Sequence, residues 1–187
     1  VNPSPVSPAP DNAPGATGGP TPAPSTLTRL LAYRRLWTAG ILVFAADQIT
    51  KAMIAARLPF GSYGRGARIE VFPDFLNLVH VGNTGAAWSM FTGQSFWLAL
   101  LALGTLAAMF VWRRALGLKH AAAQPAFGLL CGGIVGNLFD RIVHGHVIDF
   151  LDFHFGAYIF PTFNVADSAI CVGVFWYILW SLRQPPA

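Results

Sequence analysis

Residues 95–112 read SFWLALLALGTLAAMFVW, a run with no ionisable side chain. About 20 apolar residues of helix are enough to cross a hydrocarbon core of ~30 Å, so this run is a candidate span. On either side of it lie three more apolar stretches of similar length, 36–58, 121–139 and 163–182, each with one to three charged residues in it or at its end. The whole chain agrees. Of its 187 residues 54% are hydrophobic and only 11% charged, against about 25% charged in a soluble domain, and the mean hydropathy is +0.51. This composition excludes a solvated disordered chain, a collagen and a disulfide scaffold. The net charge of +4 has no clustered basic stripe behind it, so nucleic acid is not an expected partner. A soluble helical core also holds apolar helices, but four with so few charged faces favour a bundle in lipid. The expected fold is an all-α membrane protein of four transmembrane helices.

Eight of the 14 prolines fall in the first 24 residues, among Ala, Gly, Ser and Thr. Residues 1–28 are therefore expected as a disordered cytoplasmic tail, 29–183 as the membrane domain and 184–187 as a short C-terminal tail. The tail lacks the basic and apolar regions of a signal peptide, so the first apolar helix is expected to act as an uncleaved targeting signal. Arg29, Arg34 and Arg35 precede the first span, Arg113, Arg114 and Lys119 separate the second from the third, and Arg183 follows the fourth. The positive-inside tendency then puts both termini in the cytoplasm and the loops 59–94 and 142–162 outside. Within the first outer loop, RIEVFPDFLNLVHVGNTGAAWS (68–89) is rich in β-branched and aromatic residues, which predicts short strands on the membrane surface. The second, HGHVIDFLDFHFGAY (144–158), is expected to lie in the interface, with Asp152 and His154 as its wet edge. Cys131 and Cys171 sit in apolar runs and read as buried thiols.

Only eight acidic residues are present, and one of them, Asp11, is in the tail. A carboxylate in or beside a span costs on the order of 3 kcal/mol, so it needs a partner or a task. Asp47 and Lys51 are four apart on a helix and suit an ion pair. Asp140, between Asn137 and Arg141, suits a hydrogen-bond network at the end of the third span. Asp149 and Asp167 have no basic neighbour in sequence, yet the order of the spans brings both to the outer end of the bundle. Two carboxyls sharing a site do not both ionise, and such a pair activates a water against an amide carbonyl. Proton or cation translocation and plain structural pairing are equally compatible with intramembrane acids. No metalloprotease histidine pair, nucleophile elbow or phosphate-binding loop occurs in the sequence, and no metal or organic cofactor is expected.

Five ordered blocks carry a resemblance: Asp47-Gln48-Ile49-Thr50-Lys51, Asn83-Thr84-Gly85-Ala86-Ala87-Trp88-Ser89, Gly136-Asn137-Leu138-Phe139-Asp140-Arg141, Gly145-His146-Val147-Ile148-Asp149-Phe150 and Phe163-Asn164-Val165-Ala166-Asp167. Together they resemble the lipoprotein signal peptidase (signal peptidase II) family over residues 36–182, with Trp88 where Phe is commoner. The resemblance implies an intramembrane aspartyl endopeptidase of the bacterial cytoplasmic membrane. Such an enzyme cleaves prolipoproteins before their lipid-modified cysteine and is blocked by cyclic peptide antibiotics. It further implies Asp149 and Asp167 as the catalytic pair, with Asp47, Lys51, Asn83, Asn137, Asp140, Arg141 and Asn164 in support.

Overall fold

The computed structural model describes residues 25–63 and 66–184. The proline-rich stretch 1–24 lies outside the described residues. Helix α1 (Thr26–Ala32) begins inside the segment expected as tail, where the Ser25 hydroxyl accepts the Thr28 amide at 3.2 Å. After it come α2 (Arg34–Arg57), strands β1 (Ile69–Phe72) and β2 (Leu76–Asn83), and a 3-10 turn (Ala87–Ser89). Then follow α3 (Ser95–Val111), α4 (Gln124–His144), strands β3 (Val147–Phe155) and β4 (Tyr158–Ile159), and α5 (Val165–Ser181).

Helices α2 and α4 are long and apolar enough to cross a membrane, while α3 and α5 are apolar helices of 17 residues, about 25 Å each. The large apolar side chains point outward: Leu101 is 65% exposed, Phe110 67%, Ile142 69% and Phe175 64%. Water would penalise such a surface, whereas lipid covers it at no cost. The same reasoning corrects the reading of Cys171, which is exposed on α5 rather than buried. An outward-facing thiol in an apolar solvent needs no core.

Helix α4 is the central element, packed along both α2 and α5 and more lightly against α3. Glycines let it approach so closely. A Cβ on Gly128 would lie 2.6 Å from the Leu36 carbonyl oxygen and one on Gly132 2.6 Å from that of Gly40, while one on Gly133 would strike the Ala166 carbonyl. Small residues four apart allow helix backbones to meet where lipid supplies no hydrophobic drive. Helix α4 also runs past Asp140 and Arg141 to His144 and stops at Gly145 (φ 76°). The two polar residues expected to end the span therefore lie one turn inside it, stabilised by partners on other elements.

One end of the bundle carries an antiparallel sheet in the order β1-β2-β3-β4. Strand β2 pairs with β3 from Leu76↔Phe153 to Asn83↔Val147, with a bulge between Leu78 and Val81. The segment expected in the membrane interface is thus a strand, because the free edge of β2 satisfies its backbone groups better than headgroups do. Asp152 is correspondingly not at a wet edge. It is fully buried, accepting bonds from the Tyr63 hydroxyl (3.2 Å) and the Asn77 amide (3.3 Å) and lying 2.6 Å from His154 Nε2.

The bundle is cross-linked at the Lys51 ammonium, which is 2% exposed. It lies 2.8 Å from Asp47 Oδ2, 2.8 Å from Asp140 Oδ2 and 3.0 Å from Asn137 Oδ1, one acceptor for each of its protons. Replacing Lys51 with Met leaves two buried carboxylates uncompensated, which costs about 3–5 kcal/mol. A large fall in melting temperature is expected, mostly recovered when Asp47→Asn and Asp140→Asn are added; a single variant that melts like wild type would rule this out. For the helix contacts, Gly132→Ala is expected to lower the melting temperature through an overpacking cost of about 1–3 kcal/mol. Gly104→Ala in α3, with no atom within 4 Å of the new Cβ, is expected to hold or raise it by helix propensity. Equal effects at both sites would exclude close packing as the cause.

Candidate active site

Helix α5 opens with a capping box. The Asn164 side chain accepts the Asp167 amide at 2.9 Å, and Asp167 Oδ2 accepts the Asn164 amide at 3.2 Å. This reciprocal pair fixes Asp167 in the first helical turn, where backbone N–H groups favour a carboxylate. Asp149 comes from β3, where Val147–Phe150 is buried at the foot of α5, and is itself 3% exposed. Asn164 joins the two acids: its Nδ2 donates to Asp149 Oδ1 at 2.7 Å while its backbone amide binds Asp167.

The remaining carboxyl oxygens are also occupied. Asn83 Nδ2, at the end of β2, donates to Asp149 Oδ2 at 2.9 Å, and Asn137 Nδ2, on α4, donates to Asp167 Oδ1 at 2.7 Å. Asn137 Oδ1 in turn accepts from both Lys51 Nζ and Asn164 Nδ2. Asp47 Oδ1 accepts the Ala166 amide at 2.9 Å, and Asp140 Oδ2 accepts the Ile148 amide at 3.1 Å. The buried triad therefore grips the backbone beside each acid of the pair. Arg141 donates to the carbonyls of Asn137 (3.3 Å) and Gly85 (2.9 Å), tying the loop after β2 to α4. All nine residues singled out in the sequence meet in this one connected cluster.

Gln48 belongs to it as well. Its Nε2 reaches Asp47 Oδ2 and Asp140 Oδ1, each at 3.1 Å, bracing the two acids of the triad. The clue in the sequence was its place beside Asp47 in the first block. Gly136 is a second addition, because a Cβ there would lie 2.6 Å from Asp47 Oδ2. Its signal was the four-residue spacing from Gly132 and Gly128.

Beside the acids an open groove of about 180 Å³ runs between α3, α4 and α5. Leu98, Leu101, Thr105, Ile134 and Ile170 form much of its lining, with Asn137 and Arg141 also in it. Above the cluster the loop after β2 holds Trp88 in a left-handed conformation (φ 54°, ψ 30°), 65% exposed, its ring 6.5 Å from that of Phe160. A non-glycine residue in this region stores backbone strain.

Burial, and next to it the charge of Asp167, raises the carboxyl of Asp149 to about 7, against the lowering effect of the bonds from Asn83 and Asn164. The pair therefore holds a proton near neutral pH, as chemistry that both gives and takes a proton requires. In the folded protein Asp149 stays protonated up to about pH 7, whereas the unfolded chain releases that proton near pH 4. Its contribution to stability is then complete below about pH 4 and is lost as pH rises through about 7. Melting curves from pH 4 to 8 are expected to fall more steeply with pH for wild type than for Asp149→Asn; parallel curves would contradict the raised pKa.

A family profile described as signal peptidase (SPase) II matches residues 39–183. The lipoprotein signal peptidase of Vibrio cholerae serotype O1 is 43% identical over 157 residues, covering 80% of this chain and 87% of that protein. That of Symbiobacterium thermophilum is 41% identical over 136 residues, covering 72% and 86%. Among solved structures, a bacterial membrane enzyme determined by the in meso method at 2.3 Å resolution superposes with a TM-score of 0.70 at 30% identity, over 81% of this chain and 93% of the other. A second such enzyme, at 1.9 Å resolution, gives 0.65 at 32% identity, over 80% and 94%. The match spans every block of the cluster, and the chain belongs to the signal peptidase II family of membrane peptidases.

Proposed function

We propose that this peptidase is an intramembrane aspartyl endopeptidase in which Asp149 and Asp167 are the catalytic pair, cleaving prolipoproteins before a diacylglyceryl-modified cysteine. The observation that carries this reading is the hydrogen-bonded junction at Asn164, which holds the buried carboxyl of Asp149 from β3 and the half-buried carboxyl of Asp167 from α5 in one site beside an open apolar groove. The carboxyl without a proton takes one from a water, and the water oxygen bonds to the scissile carbonyl carbon. The other carboxyl gives its proton to the carbonyl oxygen. As the tetrahedral intermediate collapses the roles exchange: the C–N bond breaks, the leaving nitrogen takes up a proton, and the pair returns to its starting charge. The water and the two carboxyls suffice without a cofactor.

A substrate whose cysteine carries acyl chains is itself partly dissolved in the bilayer. A groove lined by Leu98, Leu101, Ile134 and Ile170 and ending at Arg141 suits such a ligand, which enters sideways while water arrives from the sheet end. In this reading all four long helices span the bacterial cytoplasmic membrane, both termini are cytoplasmic, and the sheet and acid pair lie at the outer face. Cyclic peptide antibiotics that fill the cleft are expected inhibitors.

Purified Asp149→Asn and Asp167→Asn variants, checked for wild-type melting, are expected to lose about 10²–10⁴-fold in cleavage of a diacylglyceryl prolipoprotein, the usual weight of a positioned acid or base. Cleavage at the wild-type rate by either variant would exclude the assignment.

A further inference from the structure

The end of the bundle opposite the sheet carries a feature that the peptidase chemistry does not use. Val172, Phe175, Trp176, Leu179 and Trp180 of α5, with Arg183 just beyond it and Ala122 before α4, line a second groove of about 400 Å³, a volume in the range of small-molecule sites. From residue 172 to 183 it runs roughly 16 Å along the helix axis at 1.5 Å per residue. It is therefore long and apolar, with a cation at one end.

The wall of this groove is fixed in place. The Trp180 ring lies 5.6 Å from that of His120 and 5.7 Å from that of Tyr177. Gly117, at φ 69°, passes so near that a Cβ there would be 2.6 Å from the Trp180 ring. The charges around it have a single sign. Arg34, Arg35, Arg113, Arg114, Lys119 and Arg183 are at this end, whereas the carboxylates among the described residues belong to the sheet, the acid pair or the Lys51 cluster. Several of the cations are engaged. Arg35 donates to the Ala121 carbonyl at 3.2 Å, and Arg113 folds onto the Phe110 ring at 4.5 Å while donating to the Phe110 carbonyl at 2.7 Å. The guanidinium of Arg183 is not held by any acceptor among the described residues and stands at the mouth of the groove.

We propose that this groove binds one anionic glycerophospholipid, with an acyl chain laid along the Val172–Leu179 face and the headgroup phosphate on Arg183. The inference rests on the membrane reading of the helices and not on the acid pair. A guanidinium matches phosphate oxygens with two parallel bonds. The surrounding cations disfavour a zwitterionic headgroup, whose own ammonium would face an uncompensated positive field. Tryptophans at the headgroup level are ordinary membrane-interface residues, but here two of them also form the groove wall.

The test uses the full chain in symmetric phosphatidylcholine vesicles doped with brominated phosphatidylglycerol or brominated phosphatidylcholine, reading the quenching of tryptophan fluorescence. The background of the other indoles is taken from a Trp176→Phe/Trp180→Phe variant. Brominated phosphatidylglycerol is expected to quench the groove tryptophans at about fivefold lower mole fraction, the weight of one cation at an anionic surface. Arg183→Gln is expected to abolish that difference and Arg113→Gln to preserve it. Equal quenching by the two lipids overturns the site, and so does a preference that survives Arg183→Gln, which would assign it to diffuse charge. Prolipoprotein cleavage by the wild-type chain in the same vesicles separates the two readings: equal quenching of the wild-type chain by the two lipids with cleavage intact counts against this groove alone.

Discussion

A lysine ammonium with almost no access to solvent holds this protein together. Lys51 is tolerable inside an apolar bundle only because Asp47, Asp140 and Asn137 accept its three protons, and those carboxylates are tolerable only because Lys51, Gln48 and two backbone amides satisfy them. None of the groups can be removed singly without leaving a buried charge or donor behind. Because they sit on α2 and α4 and bind the backbone of β3 and α5, satisfying them fixes how four elements meet.

The acid pair is built on that fixed junction. The carboxylate of Asp47 binds an N–H in the first turn of α5 beside Asp167, and that of Asp140 binds the amide next to Asp149. Each acid is thus anchored through its own backbone to the same ion cluster, and Asn137 and Asn164 join the side chains. The two carboxyls are positioned by charged bonds to the backbone beside them, while burial brings Asp149 to about 7. The two groups of acids differ in their electrostatics because Asp47 and Asp140 touch the Lys51 ammonium, whereas among the described residues no cation is in ion-pair contact with Asp149 or Asp167.

The molecule is divided along its length. The sheet end holds the buried polar cluster, the strained Trp88 loop and the groove that reaches Asn137 and Arg141. The other end is basic and aromatic. Between them α4 comes close to both of its neighbours through glycines, a contact that lets short polar side chains such as Asn137 span from one helix to the next.

Much of this was legible in the residues. The uncharged run 95–112 and its three companions announced apolar helices, because a helix in lipid must be apolar over most of its surface. The i,i+4 spacing of Asp47 and Lys51 foretold their ion pair, which depends on helical geometry alone. The strands over 69–83 followed from β-branched and aromatic content. Other features needed the fold. Asp152 looked like a surface residue and is buried, since its environment is made by Tyr63 and Asn77, which are far from it in sequence. Residues 147–155 gave no strand signal in the sequence reading and form one, because the β2 edge that pairs with them is some seventy residues earlier. Asp140 looked like part of a helix end and instead completes the coordination of Lys51. Local pattern and composition thus determined which segments are helices and which acids are out of place. Apart from the Asp47–Lys51 pair, only the tertiary structure decided which partner each acid has, because a buried charge is stabilised by whatever the fold brings within about 3 Å of it, and sequence distance carries no record of that.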